Sequence, residues 1–354
     1  MDGKYHTQNI RRRSAHLMKW TLYPVSDFPE FKHIWQKLNK IKGNSPLLDP
    51  IFIQPLIDNF AEGNEKLAIY GAPEDPDIMA IIRPAKKGVW ETFQSSNAPL
   101  GLWLSKENSF DAASARSLIK ALPGTSISLG LTQQDPLFLE RPQTEQTIGT
   151  LDYIETAHID FPESFEDYWA GRGKNLRHNM KRQRNFLNKN DIETRLELWD
   201  QKEQMEKAVL DYARIESAGW KGQINSAVSG DDPQSLFYMQ MLKAFSHHGE
   251  ALVLRYCYND ELVATDLCLL RDKIVYILKT TYDEKIKGTS PAHIMRLEYY
   301  QTAVASGALK RVEFYGPLKE WHKKWTPEIR TIYHVNIYRN FTIAWLYKIA
   351  KLMG

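Results

Sequence analysis

Cysteine is scarce. The 354 residues contain only Cys257 and Cys268, and neither a disulfide framework nor a metal-ligand spacing can be built from two thiols on neighbouring predicted strands. Buried free thiols in a reducing compartment are the expectation. Long apolar runs are also missing. Nowhere do about 18 apolar residues follow one another, so no transmembrane helix is expected. The basic run Arg11-Arg12-Arg13 has no apolar core behind it, as a secretory leader would need, and a cytoplasmic location is expected. A charge excess is lacking too: 46 Lys and Arg stand against 43 Asp and Glu, a net charge of +3. A nucleic-acid role would therefore need a local basic face. With no fixed-period repeat, a solenoid is not expected.

What is present is globular composition, 43% hydrophobic and 25% charged, in a length that favours two domains. Residues 1–20 read as a mobile basic tail. Pro50 then opens a helical pattern with Phe52, Ile53, Leu56, Ile57 and Phe60 on one face, stopped by Gly63. Strands follow at Lys66 to Tyr70, Ile78 to Arg83 and Val89 to Phe93, then a helix from about Ala112 and a strand at Ser126 to Leu131. The second half repeats this kind of order. It has a strand from Leu151 to Ile159, helices from about Asp200 to Ala218 and from Pro233, and a polar loop from Gly222 to Asp232. Further strands are expected at Arg311 to Tyr315 and Arg330 to Tyr338.

The most informative stretch runs from Leu252 to Glu298. Strands at Leu252 to Tyr258, Leu262 to Leu270 and Lys273 to Thr281 are joined by the turns Asn259-Asp260-Glu261 and Arg271-Asp272. A loop of polar and small residues ends at Lys287-Gly288-Thr289-Ser290, and Pro291 suits the first position of a helix reaching about Ser306. Such a turn points free N–H groups and the positive end of a helix dipole at its surroundings, which favours a phosphate. The plainer reading is a strand-to-helix connection with Ser290 as N-cap.

A second charged feature lies between Lys174 and Lys189. Lys174, Arg177, Lys181 and Arg184 recur at helical spacing on one face, while Leu176, Met180 and Leu187 form an apolar stripe. Either the face is simply solvated or it meets an anionic ligand. Reading of DNA is not expected, because no helix-turn-helix spacing or aromatic platform accompanies it.

These pieces, taken in order, resemble a family. The run Phe161 to Trp169, then Lys174-Asn175-Leu176-Arg177-His178-Asn179-Met180-Lys181-Arg182, resembles the entry to the CelD-like (BcsL-like) branch of the GNAT acyltransferase superfamily. Ala218-Gly219-Trp220, Glu261-Leu262-Val263-Ala264, Lys279-Thr280-Thr281-Tyr282-Asp283, Ser290-Pro291, Val312-Glu313-Phe314-Tyr315-Gly316 and His322-Lys323-Lys324-Trp325 follow in the same order. The resemblance covers most of residues 45 to 340. It implies a mixed α/β fold of two GNAT-like lobes, each a mixed, largely antiparallel sheet flanked by helices, as in tandem-lobe FemAB-like transferases. The boundaries are then a tail at 1–20, a degenerate lobe at 21–150, an acyltransferase lobe at 151–338 and an amphipathic C-terminal helix at 339–354.

The same resemblance implies an acyl-CoA co-substrate, acetyl-CoA or longer, with no metal. Its thioester would thread between two strands that part in a V, Lys273 to Thr281 and Arg311 to Tyr315. Lys279 and Thr281 are expected beside it, and Lys287, Gly288, Thr289, Ser290 and Ala292 form the expected phosphate cradle. Pro291 has no N–H and only shapes it. The usual fingerprint, Arg or Gln followed by Gly-x-Gly or Gly-x-Ala, is reduced here to Gly288 and small neighbours.

Acyl transfer to an amine needs a proton acceptor for a substrate ammonium and a proton for the leaving thiolate. Glu313, on the second V strand, is the first choice of base and Asp266, inside an apolar strand, the second. His322 and Tyr282 are the candidates for protonating the thiolate; the family commonly has Tyr where His322 stands. For each, a structural hydrogen bond or ion pair is the alternative. Arg177, Lys181, Lys323 and Trp325 are the candidate acceptor contacts, although Trp321 and Trp325 at i, i+4 suit packing as well.

The expected acceptor is a small-molecule or lipid-linked amine, such as an amino sugar or another surface-polysaccharide precursor. Aminoacyl-tRNA as donor, long-chain acyl transfer to a sphingoid-type amine, and a catalytically silent binding fold are the alternatives. The segment Phe341 to Met353, apolar with Trp, Tyr and two Lys, is too short to span a bilayer. It suits either docking on the protein's own body or peripheral membrane contact.

Overall fold

Pro50, Pro233 and Pro291 each stand in the first turn of a helix, where the missing N–H costs nothing. Asp49 and Asp232 accept from the backbone N–H groups that follow them, satisfying donors the helix leaves open. Ser290, by contrast, occupies the N-cap position without a side-chain capping bond.

The protein is represented by a computed structural model describing residues 18–218 and 232–353. The Arg11 to Arg13 run, Gly219-Trp220 and the polar loop up to residue 231 lie outside the described residues. In chain order the elements are β1 (Trp20–Pro24), α1 (Phe28–Ile41), α2 (Pro50–Phe60), β2 (Lys66–Ala72), β3 (Asp75–Lys86), β4 (Val89–Thr92), β5 (Trp103–Ser105), α3 (Ala112–Ala121) and β6 (Ser128–Gln134). Next come β7 (Ile148–Asp160), α4 (Phe165–Ala170), α5 (Lys174–Lys189), β8 (Thr194–Trp199), α6 (Lys202–Ala218), α7 (Pro233–Ser246), β9 (Ala251–Tyr258), β10 (Glu261–Arg271) and β11 (Ile274–Tyr282). The chain ends with α8 (Pro291–Ala305), β12 (Arg311–Glu313), α9 (Glu320–Trp325), β13 (Ile329–Tyr338) and α10 (Phe341–Met353).

Two compact units result: Met1–Tyr153 with Thr331–Gly354, and Ile154–Arg330. The first holds strands in the order β1-β2-β3-β4-β6-β13, with β5 beside β3. All its pairs are antiparallel except β4 with β6. Its core gathers Ala68, Ile82, Leu118, Ile119, Leu129, Val335 and Ile337. The second holds β8-β9-β10-β11-β12-β7, again antiparallel except for β11 with β12. Both units are thus mixed, largely antiparallel sheets with helices against them. Each uses a helix, α3 or α8, to cross between its two parallel strands.

All eight residues of β9 are buried, because α8 covers one face of this sheet and α6 and α7 the other. Coverage on both faces removes the alternation expected of a half-buried strand. The hairpins turn through Asn259, Asp272 and Lys273 at φ of 52°, 53° and 63°, the left-handed values that tight turns need. Cys257 and Cys268 are buried free thiols. No described helix is long and apolar enough to cross a membrane, and the described residues contain no group of three or more His, Cys, Asp or Glu poised for a metal.

Candidate active site

Strands β11 and β12 run side by side for only three residues, Ile274 to Tyr276 against Arg311 to Glu313. Beyond that β11 continues to Tyr282, while the chain after β12 turns away through Tyr315 at φ 43°, a conformation bulky residues seldom take. Tyr315 is held there by stacking on Tyr276 at 6.3 Å and by the Arg330 guanidinium 4.9 Å above its ring. The two strands therefore part, as the V expected from the resemblance would.

A cleft of about 520 Å³ lies at the far end of β11. Its walls are Thr280 and Tyr282 from β11, Glu284, Ile286, Lys287, Thr289 and Ser290 from the connecting loop, Ala292, His293 and Arg296 from the start of α8, and Trp321 from α9. Strand alternation decides which β11 residues belong to it. Thr280 and Tyr282 face the cleft; Lys279 and Thr281 face the opposite side of the sheet. There the Lys279 ammonium sits 5.7 Å from the Tyr238 ring and 3.5 Å from Gln234 Oε1. Neither the Lys279 nor the Thr281 side chain lines this cleft.

Of the expected cradle, Lys287, Thr289, Ser290 and Ala292 line the cleft. Gly288 supports it from behind: its φ is +86°, and a Cβ there would lie 3.2 Å from the Phe186 ring. Two of the polar groups are already engaged. The Ser290 N–H donates to Gln183 Oε1 at 2.6 Å, and the Thr289 hydroxyl accepts from Tyr258 at 2.9 Å. An arriving phosphate would have to displace the first of these.

Tyr282 alone of the four proton-transfer candidates lines the cleft. Asp266, wholly buried in β10, gives both carboxylate oxygens to Arg296 at 2.8 and 2.9 Å. Arg296 also donates to Thr280 Oγ1 at 2.6 Å and lies 5.1 Å from the Trp321 ring. Burial is the largest single influence and works against its charge, but Asp266 together with Tyr300 and Cys268 leaves the Arg296 pKa raised above the usual arginine value. Glu313 is buried with Arg330 at 2.8 Å and Arg311 at 3.7 Å. His322 accepts the Lys319 N–H on Nδ1 at 2.8 Å and stacks on Trp321 at 3.6 Å; burial, then Arg296, lowers its pKa to about 4.

The expected acceptor contacts lie elsewhere. Trp325 is a core residue, 1% exposed, its ring against His293 and Tyr300. Lys323 is exposed and paired with Glu320 at 2.8 Å. Arg177 bonds the Arg172 carbonyl at 3.1 Å, and neither it nor the exposed Lys181 lines the cleft.

His293, Arg296 and Glu284 are wall residues that the sequence reading did not single out, and Trp321, weighed there for packing, is a fourth. His293 and Arg296 were findable, since they sit at i and i+3 on the helix that Pro291 announces. The His293 ring lies parallel to Trp325 at 5.8 Å and edge-on to Trp321 at 5.0 Å. Its Nδ1 is buried without a hydrogen-bond partner. Burial, followed by Arg296, His322 and Lys324, brings its pKa down to about 3, so the imidazole is neutral at ordinary pH.

Residues 174–323 match the acetyltransferase (GNAT) domain. The fold is shared with solved structures, two of which follow. The C-terminal domain of a putative lysylphosphatidylglycerol synthetase from Agrobacterium fabrum is 10% identical, with 87% of this chain and 92% of that one covered at a TM-score of 0.50. A conserved protein of unknown function from Bacteroides thetaiotaomicron is 9% identical, with 91% and 100% covered at a TM-score of 0.50. No curated protein matches the sequence. The domain match supports an acyltransferase, and its span takes in the whole cleft.

Proposed function

We propose that this protein moves an acyl group from a CoA thioester to the nitrogen of an amine, in the manner of the CelD-like branch. The acceptor would be an amino sugar or another surface-polysaccharide or lipid precursor. The parting of β11 from β12 beside the cleft is the observation that carries this reading. It frees one edge of β11 for an extended ligand, and the loop that follows ends at the positive terminus of a 15-residue helix, which favours phosphate. The cleft volume falls within the range of small-molecule sites.

The wall residues suggest a division of labour. Glu284, the one carboxylate among the lining residues, takes the proton of the attacking amine. The nitrogen adds to the thioester carbonyl, the C–S bond breaks, and Tyr282 supplies the proton to the thiolate. His293, neutral and gripped by two indoles, presents a hydrogen-bonding edge without adding charge. Asp266 and Glu313 are assigned supporting roles, each holding an arginine in place. The reaction would run in the cytoplasm, at or near the membrane's inner face if the acceptor is lipid-linked.

Calorimetry with acetyl-CoA and longer acyl-CoAs tests the donor. Micromolar binding that weakens in Gly288→Leu is expected; no binding to any CoA species would overturn the proposal.

A further inference from the structure

Large exposed hydrophobic side chains gather at one corner of the first unit. Leu151 and Tyr153 of β7 and Phe341, Trp345, Leu346 and Tyr347 of α10 are each between 45% and 56% exposed. Leu151, Leu346 and Tyr347 also line a groove of about 650 Å³, floored by Trp90, Ile127 and Leu131. Large exposed apolar side chains beside an apolar groove are the kind of surface that interaction sites use. Helix α10 is only partly docked: Ala344 is buried at 1% exposure while the four larger residues stand out.

Charge indicates what covers it. Lys86, at the end of β3, and Lys87, in the turn after it, are both exposed beside the groove, and Lys86 lines it. Glu91, the one acidic lining residue, is occupied by Arg83 at 2.8 Å. From Arg339 onward the sequence has three basic residues, Arg339, Lys348 and Lys351, and no acidic one. Aromatic and leucine side chains beside lysines are the composition of an interfacial helix, and basic residues near it draw anionic lipid.

We propose that α10 and this groove form a lipid-binding site: the helix lies in the headgroup region of an anionic bilayer, and one acyl chain of a phospholipid enters the groove. This deepens the acyltransfer reading by making the acceptor membrane-borne, and it rests on that reading only for the lipid's role as acceptor. The contact itself stands whether or not the second unit binds CoA.

Co-sedimentation of the full chain with phosphatidylcholine vesicles, with and without phosphatidylglycerol, tests the contact. Binding to the anionic vesicles is expected, with a loss of about tenfold or more in Trp345→Ser/Leu346→Ser and in high salt, and a smaller loss in Lys86→Glu/Lys87→Glu. Absence of binding by the wild type, or binding that ignores salt and headgroup, overturns the proposal. So does self-association through α10 in place of vesicle binding. For the groove, Gly130→Leu serves, because a Cβ at residue 130 meets its neighbours only at 3.6 Å or beyond and a larger side chain extends into the space. It should weaken binding of monomeric dioctanoyl-phosphatidylglycerol, read by tryptophan emission, at unchanged thermal stability. Undiminished binding overturns the chain site. Titrating each variant with acetyl-CoA keeps a failure here distinct from a failure of the donor reading.

Discussion

Arg296 grips both carboxylate oxygens of Asp266, Nε to Oδ2 at 2.8 Å and Nη2 to Oδ1 at 2.9 Å, joining α8 to β10 beneath the cleft. Neither residue is more than 3% exposed. Removing one partner of such a pair leaves the other charge buried alone, which costs about 3–5 kcal/mol. Asp266→Asn should therefore lower the unfolding free energy, read from urea denaturation, by about that much. A variant as stable as the wild type but without turnover would return Asp266 to the role of base.

The two buried histidines give stability a pH dependence. Folding holds His293 at about 3 and His322 at about 4, both below the usual 6.5. The unfolded chain therefore takes up protons between roughly pH 6.5 and 4 that the folded chain refuses, so stability is full above about 6.5 and falls with acid. Each histidine contributes a slope of up to ~1.4 kcal/mol per pH unit. Urea unfolding from pH 7 to 4.5 should show the decline, and His293→Phe, which keeps a flat ring against Trp325, should reduce it. An unchanged slope in that variant would count against a buried neutral His293.

Gly288 is constrained twice, by its φ of +86° and by Phe186 at 3.2 Å from any Cβ. Gly288→Ala should cost about 1 kcal/mol or more of loop strain and weaken acyl-CoA binding. The double variant with Phe186→Ala should recover only the part owed to crowding. Full recovery in the double variant, measured by calorimetry, would show that backbone conformation does not matter here.

Proton transfer should separate from binding. With a panel of amines and thiol release as the readout, Glu284→Gln and Tyr282→Phe should each lower kcat by about 10²-fold or more, with acyl-CoA affinity little changed. Glu313→Gln should act mainly on stability, because its carboxylate holds Arg330 at 2.8 Å. If instead Glu313→Gln abolishes turnover at normal stability, the base belongs on β12.

Much of the second unit was legible from local signals. The hairpins around Asn259 and Asp272, the Pro291 helix and the capping at Asp232 all follow from residues a few positions apart, and they stand where expected. The strands β1, β5 and β8 and helix α1 carried weaker signals, being short or polar, and were not anticipated. The candidate site was read in outline only. Gly288 to Ala292 lie at the cleft, but Asp266 and Glu313 were chosen for the strands that carry them and Trp325 for its place in a family motif, and each has a buried partner the linear chain does not show.

The sequence by itself determined the order of elements, the loop before α8 and the small residues that line it, because spacing and turn chemistry act within a few residues. Only the tertiary structure decided that Tyr282 faces the cleft while Lys279 turns from it, and that Arg296 reaches across to Asp266. Those outcomes depend on which sheet face α8 covers. That choice comes from burying apolar surface against elements distant along the chain, and no window of local sequence contains it.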